Sequence, residues 1–196
     1  MSHMDSHYSQ VDEIQEAVIA GNVDGTRGPA RWISTHRGQE FPATASSSLE
    51  MMRTEGRIML EQTQILEVAQ TLGRMGVACG SCHTALDAGV NYPIVEPPAS
   101  SPAPQAHMQR HAWAVDRLWE GLAAPSDASW RAGAGALTHM PVDFGTNDQA
   151  NRLAQRVHEL SAKASSATQP KARAEVYGQL LETCALCHGA LRMRMR

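Results

Sequence analysis

The chain has 196 residues, 42% of them hydrophobic, enough to pack a core in one or two domains. Its 17 basic and 20 acidic residues give a formal charge of −3, without the positive excess of a nucleic-acid binder, and no apolar run approaches the ~20 residues that span a bilayer. Aromatics make up only 5% while Met and Ala are plentiful, a balance that favours helices over sheets.

Met1-Ser2-His3-Met4 reads as a cloning remnant, so residues 1–3 are set aside and a natural leader is expected to have been removed. The first predicted helix, Met4–Ala20, carries Met4, His7, Val11, Ile14 and Val18 on one stripe, by alternating steps of three and four. Gly21-Asn22 supplies a stop and then a cap. A weaker helix over Asp24–His36 is broken or tightened around Gly28-Pro29, and a polar turn follows around Gly38–Pro42. Helices are expected over Ser47–Gln62 and Gln64–Leu86. The second of these lines up Ile65, Val68, Leu72, Met75, Cys79, Cys82 and Leu86 on a core-facing stripe.

Residues 92–104 hold five of the ten prolines and read as a semi-rigid linker. It divides the chain into units over 4–91 and 105–196. Beyond it, helices are predicted over Pro104–Ala123, Ser126–Leu137, Asp148–Ala164 and Pro170–Arg192, with Ser126 as an N-cap and Pro170 in a first turn. Met108, His111, Val115, Leu118 and Leu122 repeat the stripe of the first helix. Val176, Tyr177, Leu180, Cys184, Cys187 and Leu191 repeat that of the fourth. A shift of 104 residues puts His7, Val11, Asp12 and Glu16 on His111, Val115, Asp116 and Glu120, and a shift of 105 superimposes the cysteine motifs. The chain reads as a tandem repeat of four-helix units, all-α throughout.

All four cysteines lie in Cys79-Gly80-Ser81-Cys82-His83 and Cys184-Ala185-Leu186-Cys187-His188. Cys-x-x-Cys-His is the attachment signature of c-type haem. Two thiols three residues apart on one helical face each add across a haem vinyl group, and the adjacent histidine lies under the iron. Other readings fit less well. A redox dithiol expects a strand–helix setting, a four-cysteine zinc site expects closer pairs, and a disulfide at this spacing strains its geometry. In antiparallel bundles the start of the first helix meets the end of the fourth, which brings His7 toward the first motif and His111 toward the second.

This order resembles the class II c-type cytochromes, the cytochrome c prime and cytochrome c556 family, in which the motif lies on the last helix of a four-helix bundle. The resemblance implies two covalent haems c. Cys79, Cys82, Cys184 and Cys187 would attach them, and His83 and His188 would be the proximal ligands. In that family the distal side is open or closed by a methionine from the first helix. Here that helix offers His7 and His111, with Met4 and Met108 as alternatives. Open-site members commonly carry an aromatic and then a basic residue shortly after the proximal histidine, where this chain has Leu86-Asp87 and Leu191-Arg192.

The leading expectation is an electron-transfer cytochrome with bis-histidine irons, no catalytic residues and a redox-protein partner, in the periplasm or another extracytoplasmic compartment. A gas-binding cytochrome, with nitric oxide or carbon monoxide on an open iron beside Arg192, is the alternative. A dihaem peroxidase ranks last, for want of a distal acid–base pair. The resemblance also allows a homodimer, for which no surface stripe argues. His36, His107, His139 and His158 are expected in loops or on faces that need not approach the haems, with His107, one turn from His111, placed either to bond a haem propionate or to face solvent; Trp32, Trp113, Trp119 and Trp130 are expected in helix or haem-edge packing.

Overall fold

The computed structural model describes residues 3–36, 41–90, 92–93, 95–99, 103–138 and 143–192. His139, most of the turn expected at Gly38–Pro42 and parts of the proline run lie outside them. The described residues are all-α, with no strand. They form α1 (His3–Ile19), α2 (Arg27–Thr35), α3 (Ser46–Glu61), α4 (Ile65–Ala85), α5 (Pro104–Ala123), α6 (Asp127–Ala136), α7 (Asp148–Ser166) and α8 (Pro170–Ala190). Short 3-10 turns, Asp24–Thr26 and Ala43–Ala45, lead into α2 and α3. None of these helices is long and apolar enough to cross a membrane.

Local chemistry sets the helix ends. Gly21 takes φ +70° and closes α1, while Asn22 Oδ1 accepts from the Gly25 amide at 3.0 Å. Ser126 Oγ accepts from the Ser129 amide at 3.1 Å at the start of α6. Asn147 Oδ1 does the same for Ala150 at the start of α7, at 3.0 Å. Pro104 and Pro170 open α5 and α8, where a missing N–H costs no helical bond. The weak second segment resolves into the 3-10 turn followed by α2, with Pro29 in the first helical turn.

Consecutive helices pack within each half, α1 to α4 and α5 to α8, yet the most extensive contact joins the halves, between α4 and α8. Those two helices run antiparallel and touch through backbone. A Cβ on Gly73 would stand 2.4 Å from the Ala174 carbonyl oxygen, and one on Gly178 would stand 2.8 Å from Gln70 Cα. α4 also lies parallel to α5, with Gly76 against Trp119 and Leu122. One hydrophobic cluster therefore crosses the repeat, from Val11, Ile14 and Val18 through Leu72 and Met75 to Leu118, Leu122, Tyr177, Leu180 and Leu181. Fully burying each such aliphatic side chain contributes about 1.5–3 kcal/mol. The proline run lies along α5: Arg110 donates to the Pro98 carbonyl at 2.6 Å and Arg117 to that of Pro93 at 3.3 Å.

Candidate functional site

The first motif occupies the last turns of α4. α1 runs antiparallel to it, so the start of α1 faces the motif. Met4 and His7 line one cleft, partly open to solvent, with Ala78, Cys79, Cys82 and His83, and Phe41, Ser48, Leu49 and Met52 form its other wall. Burial pushes the Cys79 thiol up to about 12, helped by the neighbouring Cys82, whose own thiol is raised by burial. Both sulfurs are thus held as neutral thiols. His7 is buried, with its ring edge-on to Trp32 at 5.4 Å and to His36 at 5.2 Å. Trp32 and His36 stack on each other at 4.0 Å. His36 therefore lies beside His7, a neighbour that the stripe of α1 does not announce. The helical stripe of α1 carries no information about where the end of α2 returns.

The second motif lies at the end of α8, and burial likewise pushes Cys184 up to about 12, with a contribution from Cys187. His111 on α5 is pushed down to about 3 by burial, then by the charges of His107, His158, His188 and Arg110. It is therefore a neutral imidazole, the form that ligates metals. Its ring stands 4.2 Å from that of buried His107. His158 of α7 is close enough to His107 to help burial lower that histidine's pKa. His107, one helical turn before His111, and His158 thus gather with His111 around the second site. Met108 is partly buried on α5. Asp87 and Arg192 follow the two motif helices with φ 48° and 53° respectively, and both are exposed. Trp130 is locked in the core by its Nε1 donating to the Ala164 carbonyl at 2.8 Å, and Trp119 is also buried.

Each motif histidine is oriented by backbone. His83 Nδ1 lies 2.6 Å from the Ala123 carbonyl oxygen, and His188 Nδ1 lies 3.2 Å from that of Ile19. A carbonyl oxygen only accepts, so Nδ1 is the donor in both rings, and a neutral ring then presents its Nε2 lone pair. Burial lowers the His188 pKa and favours that neutral state, against the opposing pull of the carbonyl. The donor set fits a c-type haem on its own chemistry. It offers two thiols on one helical face, an adjacent imidazole with Nε2 available, and a largely apolar cleft holding a second imidazole. Among the described residues, no three His, Cys, Asp or Glu side chains converge into a cage for a bare ion.

A second cleft, open to solvent and lined by both polar and apolar side chains, lies between α1 and α5, with Tyr8, Asp12, Gln15, Tyr92, Asp116, Arg117 and Glu120 supplying its polar groups and Val11 and Trp119 its apolar ones. Glu120 is buried and ion-paired with Arg117. Burial raises its pKa, with Arg117 and Ser129 pulling the other way. No known family model matches this chain, and no curated protein or solved structure matches it either.

Proposed function

We propose that the protein is a dihaem c-type cytochrome that transfers electrons, built from two duplicated four-helix units with one covalent haem each. The observation that carries this reading is the pair of Cys-x-x-Cys-His motifs whose histidines each donate Nδ1–H to a carbonyl, leaving Nε2 for iron. Cys79 and Cys82 would hold one haem by thioethers and Cys184 and Cys187 the other. His83 and His188 would ligate from one side, and His7 and His111 from the opposite side. Bound there, haem supplies reversible one-electron oxidation and reduction.

The protein's own contribution is to hold the ligands still. Imidazoles of His83 and His7, and of His188 and His111, would hold each iron with the same ligands in either oxidation state. That ligation would also set a lower potential than a thioether from Met4 or Met108. Leu49, Met52 and Ala78 give the first site an apolar wall. A redox protein docking over an exposed haem edge is the partner this reading implies, in an extracytoplasmic compartment as in the resembled family.

The test is expression with a haem-attachment system, followed by mass measurement and by absorption and electron paramagnetic resonance spectra. Two haems gained, both low-spin and without a carbon monoxide adduct on reduction, support the reading. A high-spin component that binds carbon monoxide overturns the bis-histidine assignment in favour of gas binding. A chain that gains no haem mass overturns the cytochrome reading altogether.

A further inference from the structure

The carbonyls that orient the two motif histidines come from the wrong halves. His83 belongs to the first half but donates to Ala123, the last residue of α5; His188 belongs to the second but bonds Ile19, the last residue of α1. Ile19 and Ala123 are equivalent under the 104-residue shift, so the crossing is reciprocal. Resting on the haem reading above, we propose that each half completes the proximal side of the other half's haem, so that each iron's potential is set in part by the half that does not carry it.

Helix ends make these carbonyls available. The last carbonyls of a helix have no partner within it and form the negative end of its dipole. At the end of α1 the cap uses particular ones. Gly21 N–H bonds the Val18 carbonyl at 2.9 Å and Asn22 N–H that of Ala17 at 2.8 Å. That pattern leaves the Ile19 carbonyl for His188. The approach also needs room on the motif helix. The first residue between the cysteines is small in both copies: Gly80 and Ala185. A Cβ on Gly80 would come within 2.3 Å of the Leu122 carbonyl oxygen and 3.0 Å of Pro125 Cγ. In the other copy Ala185 faces Gly21, the counterpart of Pro125, at 3.9 Å from where a Gly21 Cβ would stand.

The consequence is electronic. A carbonyl accepting from Nδ1–H makes the imidazole a more basic ligand. A more basic ligand stabilises the ferric state and lowers the potential. The bond is 2.6 Å at His83 and 3.2 Å at His188, so the first haem is held at the lower potential by this contact.

The test uses the full-length, two-haem protein carrying Gly21→Ala, which forces a side chain onto φ +70° and disturbs the end of α1. The readouts are the midpoint potentials and the hyperfine-shifted Nδ1–H resonance of each axial histidine. They are assigned with full-length versions in which either cysteine pair is replaced by alanine. Gly21→Ala, though in the first half, is expected to shift the His188 resonance and raise the second haem's potential, with the first haem unmoved. Pro125→Gly, which loosens the end of α5, is expected to move the first haem only. Changes confined to the haem of the substituted half, or no change in either variant, overturn the inference. Absence of covalent haem in the unsubstituted protein's mass overturns the haem reading, and with it this one.

Discussion

The phenol of Tyr177 in α8 donates to Gln15 Oε1 in α1 at 2.5 Å, a buried hydrogen bond between residues 162 positions apart. Neither residue repeats. Leu72 stands at the place of Tyr177 in the first half, and Trp119 at the place of Gln15 in the second. The bond therefore exists once, and it ties the two halves. Tyr177→Phe leaves a buried amide oxygen without its donor, at a cost of about 1–3 kcal/mol. A calorimetric Tm lower by about 2–10 °C is expected. Combining Tyr177→Phe with Gln15→Leu should recover most of that loss, because the stranded acceptor is then gone.

Gly73→Val should be among the most damaging single changes away from the cysteine motifs. The added Cβ would meet the Ala174 backbone carbonyl, which yields only if α4 and α8 move apart along the shared core. Overpacking of this kind costs about 3 kcal/mol or more. Urea unfolding is the check: a lower midpoint with unchanged slope signals lost stability of the same fold. Gly28→Ala, where an added Cβ meets nothing within 4 Å, serves as the tolerated control.

His7→Ala and His111→Ala should each open one iron. In the haem-loaded protein, each variant is expected to turn about half of the haem high-spin and to bind about one carbon monoxide per chain after reduction. Variants that stay low-spin and bind no carbon monoxide would move the distal assignment to another side chain. Met4 lines the first cleft and Met108 lies on α5, so the corresponding double substitutions identify it.

Glu120 gives the protein a pH signature. Burial raises this carboxyl's pKa in the folded chain, so between the ordinary and the raised values the folded state binds more protons than the unfolded state. Its contribution to stability is then largest at low pH and falls as pH rises through that window. Glu120→Gln removes the dependence. Whatever the offset between the two proteins, the Tm of Glu120→Gln relative to the parent should climb as pH rises from about 4.5 toward neutrality. A difference that stays flat or falls contradicts this account of Glu120.

Much of the helical framework was legible because it is local. The stripes of α1, α4, α5 and α8 depend on a 3.6-residue period, the caps at Gly21, Ser126 and Pro170 on single-residue chemistry, and the helix bounds follow within a few residues. The gathering of side chains was legible only in part. His7 shares a cleft with His83, and His111 feels the charge of His188, both readable from antiparallel order. His107 stands one helical turn before His111 on α5, but His36, Trp32 and His158 join them through the packing of α2 and α7, which no periodicity announces.

By itself the sequence determined an all-α chain, matching positions 104 and 105 residues apart, and two cysteine–histidine motifs on core-facing helices, because each follows from spacing along one helix or from comparing positions along the chain. Only the tertiary structure decided that the halves share one core and exchange the carbonyls of Ile19 and Ala123. A small-residue contact such as Gly73 on Ala174 has no periodic mark, and a backbone carbonyl has no sequence identity at all. Which helix end meets which histidine is therefore a property of the packed molecule.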